Sequence, residues 1–130
     1  MREATVSAEL SGLVVTPSPI HGLGVFAKRS FLAGQLLFST DEYSVTPYPI
    51  YGSVRRGPTE HLLEPQVLRW TNHSCEPNAR VRFRGRVAEI LASRPVRAGD
   101  EVVCDYLETE DEVPFPFRCN CGHCDGVWIG

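Results

Sequence analysis

The sequence predicts a mostly β domain of several short sheets with little helix, and three observations carry that prediction. Eleven glycines and ten prolines are spread along 130 residues, which favours many short elements joined by turns. The apolar runs are brief and strand-like, as at Leu13-Val14-Val15 and Val25-Phe26-Ala27, and turn residues bound them. The stretch ARVRFRGRVAEILA after residue 78 alternates, placing Arg80, Arg82 and Arg84 on one strand face and Val81 and Phe83 on the other.

In chain order, residues 1–10 read as a poorly anchored end. Leu13-Val14-Val15 forms a strand closed by TPSP at Thr16–Pro19. Leu32-Ala33-Gly34-Gln35 is a turn into the strand Leu36-Leu37-Phe38. The Pro-, Tyr- and Gly-rich stretch 41–58 reads as short strands and turns. Leu62 to Trp70 is the best helical segment, with Pro65 suited to a first turn. Arg84-Gly85 then turns the chain into Val87–Ala92, and Val96–Asp100 is another turn feeding Val102–Cys104.

The totals bound the function. The length suits one domain with a modest core. A hydrophobic content of 42% with 22% charged residues describes a soluble globular chain. The net charge of −3 gives no bulk attraction to nucleic acid. The start, MREATVSAELSG, has no secretory pattern, and no apolar run approaches membrane-spanning length. Five cysteines, three of them within six residues, fit a metal site in a reducing compartment better than a disulfide framework. The expectation is an intracellular, cytoplasmic protein, nuclear if the source is eukaryotic.

Four motifs carry chemistry. Trp70–Asn78, WTNHSCEPN, packs an amide, an imidazole, a hydroxyl and a thiol into a loop constrained by its Pro-Asn pair. HGLGVF at His21–Phe26 spaces two glycines so that backbone can approach a ligand, or simply turn a hairpin. EVVCDY at Glu101–Tyr106 is a strand ending in a tyrosine. Cys119, Cys121 and Cys124 form C-x-C-x2-C, thiolates able to reach one ion. Zinc takes four tetrahedral ligands in a closed structural site, so three cysteines leave one position for Cys75 or His123. A redox Cys121–Cys124 pair is the other reading, though it calls for a βαβ setting that is missing here.

Together and in this order, these motifs resemble the SET-domain family of protein lysine methyltransferases, from about Leu13 to Gly130. The resemblance implies a SET-type fold of several short sheets with a knot-like active-site core and a zinc-binding tail. It divides the chain into an N-terminal tail (1–10), the SET domain (11–112) and a post-SET tail (113–130). It implies S-adenosyl-L-methionine as cofactor, contacted by Gly22, Leu23, Gly24, Arg69, Asn72, His73, Tyr106 and Trp128. Tyr106 would be the catalytic residue, orienting a lysine amine. Zn2+ would be held by Cys75, Cys119, Cys121 and Cys124, although the family's tail spacing is usually C-x-C-x4-C. The competing class is a non-catalytic SET-like zinc-binding interaction module.

Three positions depart from the family pattern. Cys104 replaces the usual aromatic before Asp105, so a wider channel would allow more than one methyl to be added. Ser39-Thr40 stands where an upstream tyrosine is usual, with Tyr43 a substitute. The segment that normally builds the substrate groove is very short. Seven of sixteen acidic residues fall within Asp100–Glu112, including Glu108, Glu110, Asp111 and Glu112. A basic protein or peptide is the partner such a loop would attract.

Overall fold

The structure, a computed structural model, describes residues 12–106, 117–119, 121, 126 and 128–129. The expected N-terminal tail, His123, Cys124 and the acidic residues Glu108–Glu112 lie outside these residues. The regular structure of the described residues is almost entirely β, as the sequence predicts. Strands β1 (Leu13–Pro17) and β2 (Leu23–Ala27) form an antiparallel hairpin. Its β2 edge takes β10 (Glu101–Cys104), which in turn pairs in parallel with β7 (Asn72–His73). A second sheet runs β3 (Leu36–Thr40), β9 (Val87–Ala92), β8 (Ala79–Arg84). A third runs β4 (Ser44–Thr46), β6 (Glu60–Leu63), β5 (Val54–Gly57). In the tail, β11 (Phe117–Arg118) pairs with β12 (Trp128–Ile129).

The sheets close on one core. Val25, Leu62, Val67, Ile90 and Val102 are fully buried there, each contributing about 1.5–3 kcal/mol of apolar transfer. In β10 the side chains of Val102 and Cys104 enter this core. Strand alternation therefore puts Glu101 and Val103 on the opposite face.

One expectation needs correction. Leu62 to Trp70 is not a helix: Glu60–Leu63 is the central strand of the third sheet, paired on both edges. Only a 3-10 turn at Leu68–Trp70 remains. The reason is Glu64, which is buried. Its carboxylate accepts the backbone N–H groups of Gln66, Val67 and Leu68 at 2.7, 2.8 and 2.8 Å. Those donors are satisfied without a helical ladder, and Pro65 brings no N–H of its own.

Within the motif Trp70–Asn78, Asn72–His73 is strand rather than loop, and the segment that follows runs close along β10. Ser74 N–H donates to Cys104 O at 3.0 Å, and Asn78 N–H to Val103 O at 3.3 Å. The buried Asn78 amide completes the edge. Its Nδ2 donates to Glu101 O at 2.8 Å, and its Oδ1 accepts Val103 N–H at 2.9 Å.

On the second sheet the arginine row faces outward, and it has a partner. Glu89 lies opposite Arg82, with its side chain only 5% exposed. It is 2.7 Å from Arg82 Nη2 and 3.0 Å from Arg84 Nη2. Hydrogen bonds from Arg84 and Arg82 hold this carboxyl below its ordinary value.

Two outcomes follow from this architecture. Asn78→Ala leaves one strand donor and one acceptor unpaired and should cost about 2–4 kcal/mol in urea unfolding. Because its folded-state pKa is lowered, Glu89 contributes stability that is present above the ordinary carboxylate range. That stability is lost as pH falls through the lowered value. The stability difference between wild type and Glu89→Gln should therefore be largest near neutral pH and shrink in acid.

Candidate active site

The turn between β1 and β2, the segment 70–78, and the end of β10 meet at one place. Gly22 turns the chain with φ of 45°, and a Cβ added there would meet nothing. Gly24 is small for a different reason. A Cβ there would collide with the Glu101 carboxylate and with Ser18. Between these glycines, Leu23 is partly exposed.

Asn72 is fixed by three acceptors. Its Nδ2 lies 3.1 Å from His21 O, 3.1 Å from Leu23 O and 2.9 Å from Glu101 Oε2. An amide facing only acceptors must present its nitrogen to them. Oδ1 is then left without a protein partner among the described residues.

Tyr106 closes over the same segment. Its N–H donates to His73 Nδ1 at 3.0 Å, and its hydroxyl donates to Thr71 O at 3.0 Å. The two rings meet edge to face, with centroids 5.2 Å apart. Tyr106 thus spans Asn72 from Thr71 to His73. Burial pushes the His73 pKa below its ordinary value, and the Asp105 carboxylate 3.6 Å from Nδ1 offsets part of that. The imidazole is therefore neutral near pH 7. Since Nδ1 accepts the Tyr106 N–H, the ring proton sits on Nε2.

That Nε2 is 3.6 Å from Cys75 Sγ, and Cys75 Sγ is 3.7 Å from Cys119 Sγ. The three ligand atoms lie within 4.8 Å of one another. Two thiolates on a tetrahedral zinc, each about 2.3 Å from the ion, are about 3.8 Å apart. The Cys75–Cys119 pair fits that edge, so these residues suit the metal. His73 stands differently. With its proton on Nε2 it is a donor to the Cys75 sulfur, an outer partner that steadies a ligand rather than being one. Cys121 is a thiol lining the neighbouring cleft, and Cys124 lies outside the described residues.

This cleft has a volume of about 300 Å³. Ser74, Asn78, Glu101 and Cys121 line it, with Glu76 and Asp100 also in its wall against one cation, Arg94.

The remaining expected residues have other partners among the described residues. The Arg69 guanidinium stacks on Trp70 at 5.0 Å, and its stem packs where a Cβ on Gly52 would fall. No hydrogen bond or ion pair joins it to Asn72, His21, Leu23 or Glu101 among the described residues. Trp128 pairs through its backbone with Arg118; the position of its ring lies outside what is described. Cys104 belongs to the buried core. Tyr43 is engaged on the second sheet, donating to Arg86 O at 2.8 Å and accepting from Arg56 at 3.0 Å. Sequence reasoning missed Ser18, Glu101 and Asn78 as members of this network. The signal for His73 beside Cys75 was available, since residues i and i+2 of an extended segment share a face.

The profile of the SET domain matches residues 22–107, and the chain belongs to the SET-domain family. It is 31% identical over 100 residues to Methyltransferase flvH of Aspergillus flavus, covering 75% of this chain and 56% of that protein. It is 44% identical over 62 residues to N-lysine methyltransferase SMYD2-A of Xenopus laevis, covering 41% of this chain and 14% of that one. Histone-lysine N-methyltransferase TRX1 of Oryza sativa subsp. japonica aligns at 29% identity, over 85% of this chain and 13% of its own length. The chain thus spans a little over half of the first relative and a small part of the other two. In three dimensions it resembles the crystal structure of a Plasmodium falciparum protein solved as a candidate histone methyltransferase. That match has a TM-score of 0.61 at 20% identity, covers 73% and 92% of the two chains, and shows a shared fold.

The metal geometry is testable without activity. Purified protein should carry about one zinc per chain by elemental analysis. Cys75→Ser and Cys119→Ser should lose it, whereas His73→Gln, which removes a partner and no ligand, should retain it. Zinc loss from His73→Gln equal to that from Cys75→Ser would make the imidazole a ligand.

Proposed function

We propose that this chain is an S-adenosylmethionine-dependent protein-lysine methyltransferase domain, with zinc closing its tail onto the active-site loop. One observation carries the reading. Tyr106 brackets the Asn72–His73 pair from both ends, beside the turn His21–Gly24 that holds the Asn72 amide. Leu23, Asn72, His73 and Tyr106, which the family pattern assigns to cofactor and catalysis, come from three distant stretches and are neighbours.

The chemistry expected of these residues is positioning. Bound S-adenosylmethionine supplies an electrophilic methyl group on a sulfonium. The open Oδ1 of Asn72 is an acceptor suited to a ligand N–H, such as the amino group of an amino-acid moiety. The acidic cleft wall, with Glu76 and Asp100 against Arg94, favours a cationic ligand. With its proton given to Thr71 O, the Tyr106 oxygen meets a substrate amine as an acceptor and turns the nitrogen lone pair toward the methyl. The amine must be neutral to react. A lysine amine, ordinarily near ~10.4, is pushed down by burial and by a neighbouring positive charge. Alignment at roughly 3–3.5 Å then supplies most of the rate.

Cys75 and Cys119 would hold zinc with Cys121 and Cys124, Cys75 tying the tail to the loop that carries His73. Five cysteines, three of them within six residues, suit a metal site in a reducing, intracellular setting better than a disulfide framework. The substrate would be a basic protein or peptide, and the acidic residues around Asp100 and Asp105 would draw it in.

Transfer of radiolabelled methyl from S-adenosylmethionine to a panel of basic proteins tests this. Wild type should label lysine. Tyr106→Phe should lose about 100-fold or more in rate while binding the cofactor within about threefold. Folded, zinc-loaded protein that binds the cofactor and labels nothing would establish the alternative, a non-catalytic SET-like module. The engagement of the Tyr43 hydroxyl on Arg86 and Arg56 favours that second reading.

A further inference from the structure

Glu101 starts β10 on the face away from the core, and its carboxylate joins two walls of the site. On one side the Ser18 hydroxyl lies 2.8 Å from Oε1 and 3.0 Å from Oε2. Ser18 Oγ in turn accepts the Ile20 N–H at 2.9 Å, and Ser18 N–H donates to Gly22 O at 2.8 Å. The whole turn 18–22 is thereby tied to this carboxylate. On the other side Oε2 accepts from Asn72 Nδ2 at 2.9 Å. The space the carboxylate fills is kept open by Gly24, where any Cβ would strike it.

Asn72 has two amide hydrogens for three acceptors. The carbonyls of His21 and Leu23 come from the same turn that Ser18 anchors to Glu101. Of the three acceptors only the carboxylate also holds Ser18, so it decides where the amide and the turn rest together. If it is removed, the two carbonyls still favour nitrogen, but the amide and the turn lose their common post.

We propose that Glu101 is the positioning residue of the ligand site. Its carboxylate fixes the rotamer of Asn72 and, through Ser18, the turn 18–24, so that Asn72 Oδ1 is presented as a fixed acceptor. The inference deepens the methyltransferase reading and rests on it only for the identity of the ligand. Glu101 acts through Asn72 and the turn, and its charge is not the attracting element. A glutamine, which keeps an oxygen for Asn72 and an amide for Ser18 Oγ, should therefore replace it.

The test compares Glu101→Gln with Glu101→Met, side chains of similar length with and without polar atoms. S-adenosylmethionine affinity is read by calorimetry, and hydrogen exchange of the Asn72 side-chain amide by NMR. Glu101→Gln should bind within about threefold of wild type, with Asn72 hydrogens still protected. Glu101→Met should bind about tenfold or more weakly, with those hydrogens exchanging faster at unchanged protection in the β3–β9–β8 sheet. Equal losses in both variants would show that the negative charge itself matters and would overturn the proposal, as would wild-type binding by Glu101→Met.

Ser18→Ala covers the case in which Glu101→Met does not fold. It should weaken binding about two- to fivefold and loosen the turn, and no change in either affinity or exchange would overturn the proposal. If wild type binds no S-adenosylmethionine, the functional reading fails by itself. The Asn72 exchange rates in the two Glu101 variants then still decide whether the carboxylate positions the amide.

Discussion

The structure depends on how β10 is satisfied along both edges. One edge pairs with β2 and the other is followed by residues 72–78, through Asn72–His73, Ser74 and Asn78. A strand this deep cannot leave N–H and C=O groups unpaired, since each would cost about 1–3 kcal/mol. The segment that satisfies it is therefore held at residue-level register, with Val103 facing Asn72 and Cys104 facing His73. That register brings Tyr106, two residues past the end of β10, back onto His73. Backbone accounting thus assembles the site before any ligand arrives.

Much of the fold was legible because its strands alternate and its turns are marked. Ala79–Arg84 and Val87–Ala92 follow the predicted hairpin, turning at Gly85. The residues around Leu62 were misread because a short apolar run does not distinguish strand from helix. The deciding facts were remote or single: pairing with β4 and β5, and one buried carboxylate at Glu64. The site was legible as motifs and not as a network. Ser18 and Glu101 stand 83 positions apart, and neither belongs to a local pattern that announces the other. Asn78 reads as a turn residue after Pro77, and that local role hides its work on β10. Arg69 was assigned by position in a motif, and its guanidinium stacks on the neighbouring Trp70 ring.

Charge shapes the second sheet in a different way. β8 is its edge, where unpaired backbone invites pairing with another chain. The exposed row Arg80, Arg82, Arg84 makes that approach costly. Glu89, buried on the neighbouring strand, takes two of the three guanidinium groups. The edge stays positively charged while the carboxylate stays paired. The same alternation that predicts the strand also protects it.

One imidazole connects the two halves of the site. His73 Nδ1 takes the Tyr106 N–H and Nε2 faces Cys75 Sγ, so the ring can serve both only as the neutral tautomer protonated on Nε2. Its burial favours that state, and the T-shaped contact with the phenol fixes its plane. A zinc ion on Cys75 would leave that sulfur as a thiolate, a better acceptor for the ring N–H than a thiol is. Metal at the tail would then hold the ring, and the ring would hold the backbone of the tyrosine. On the proposed reading, the metal would bear on methyl transfer through geometry alone, ordering Tyr106 while standing apart from the reacting atoms.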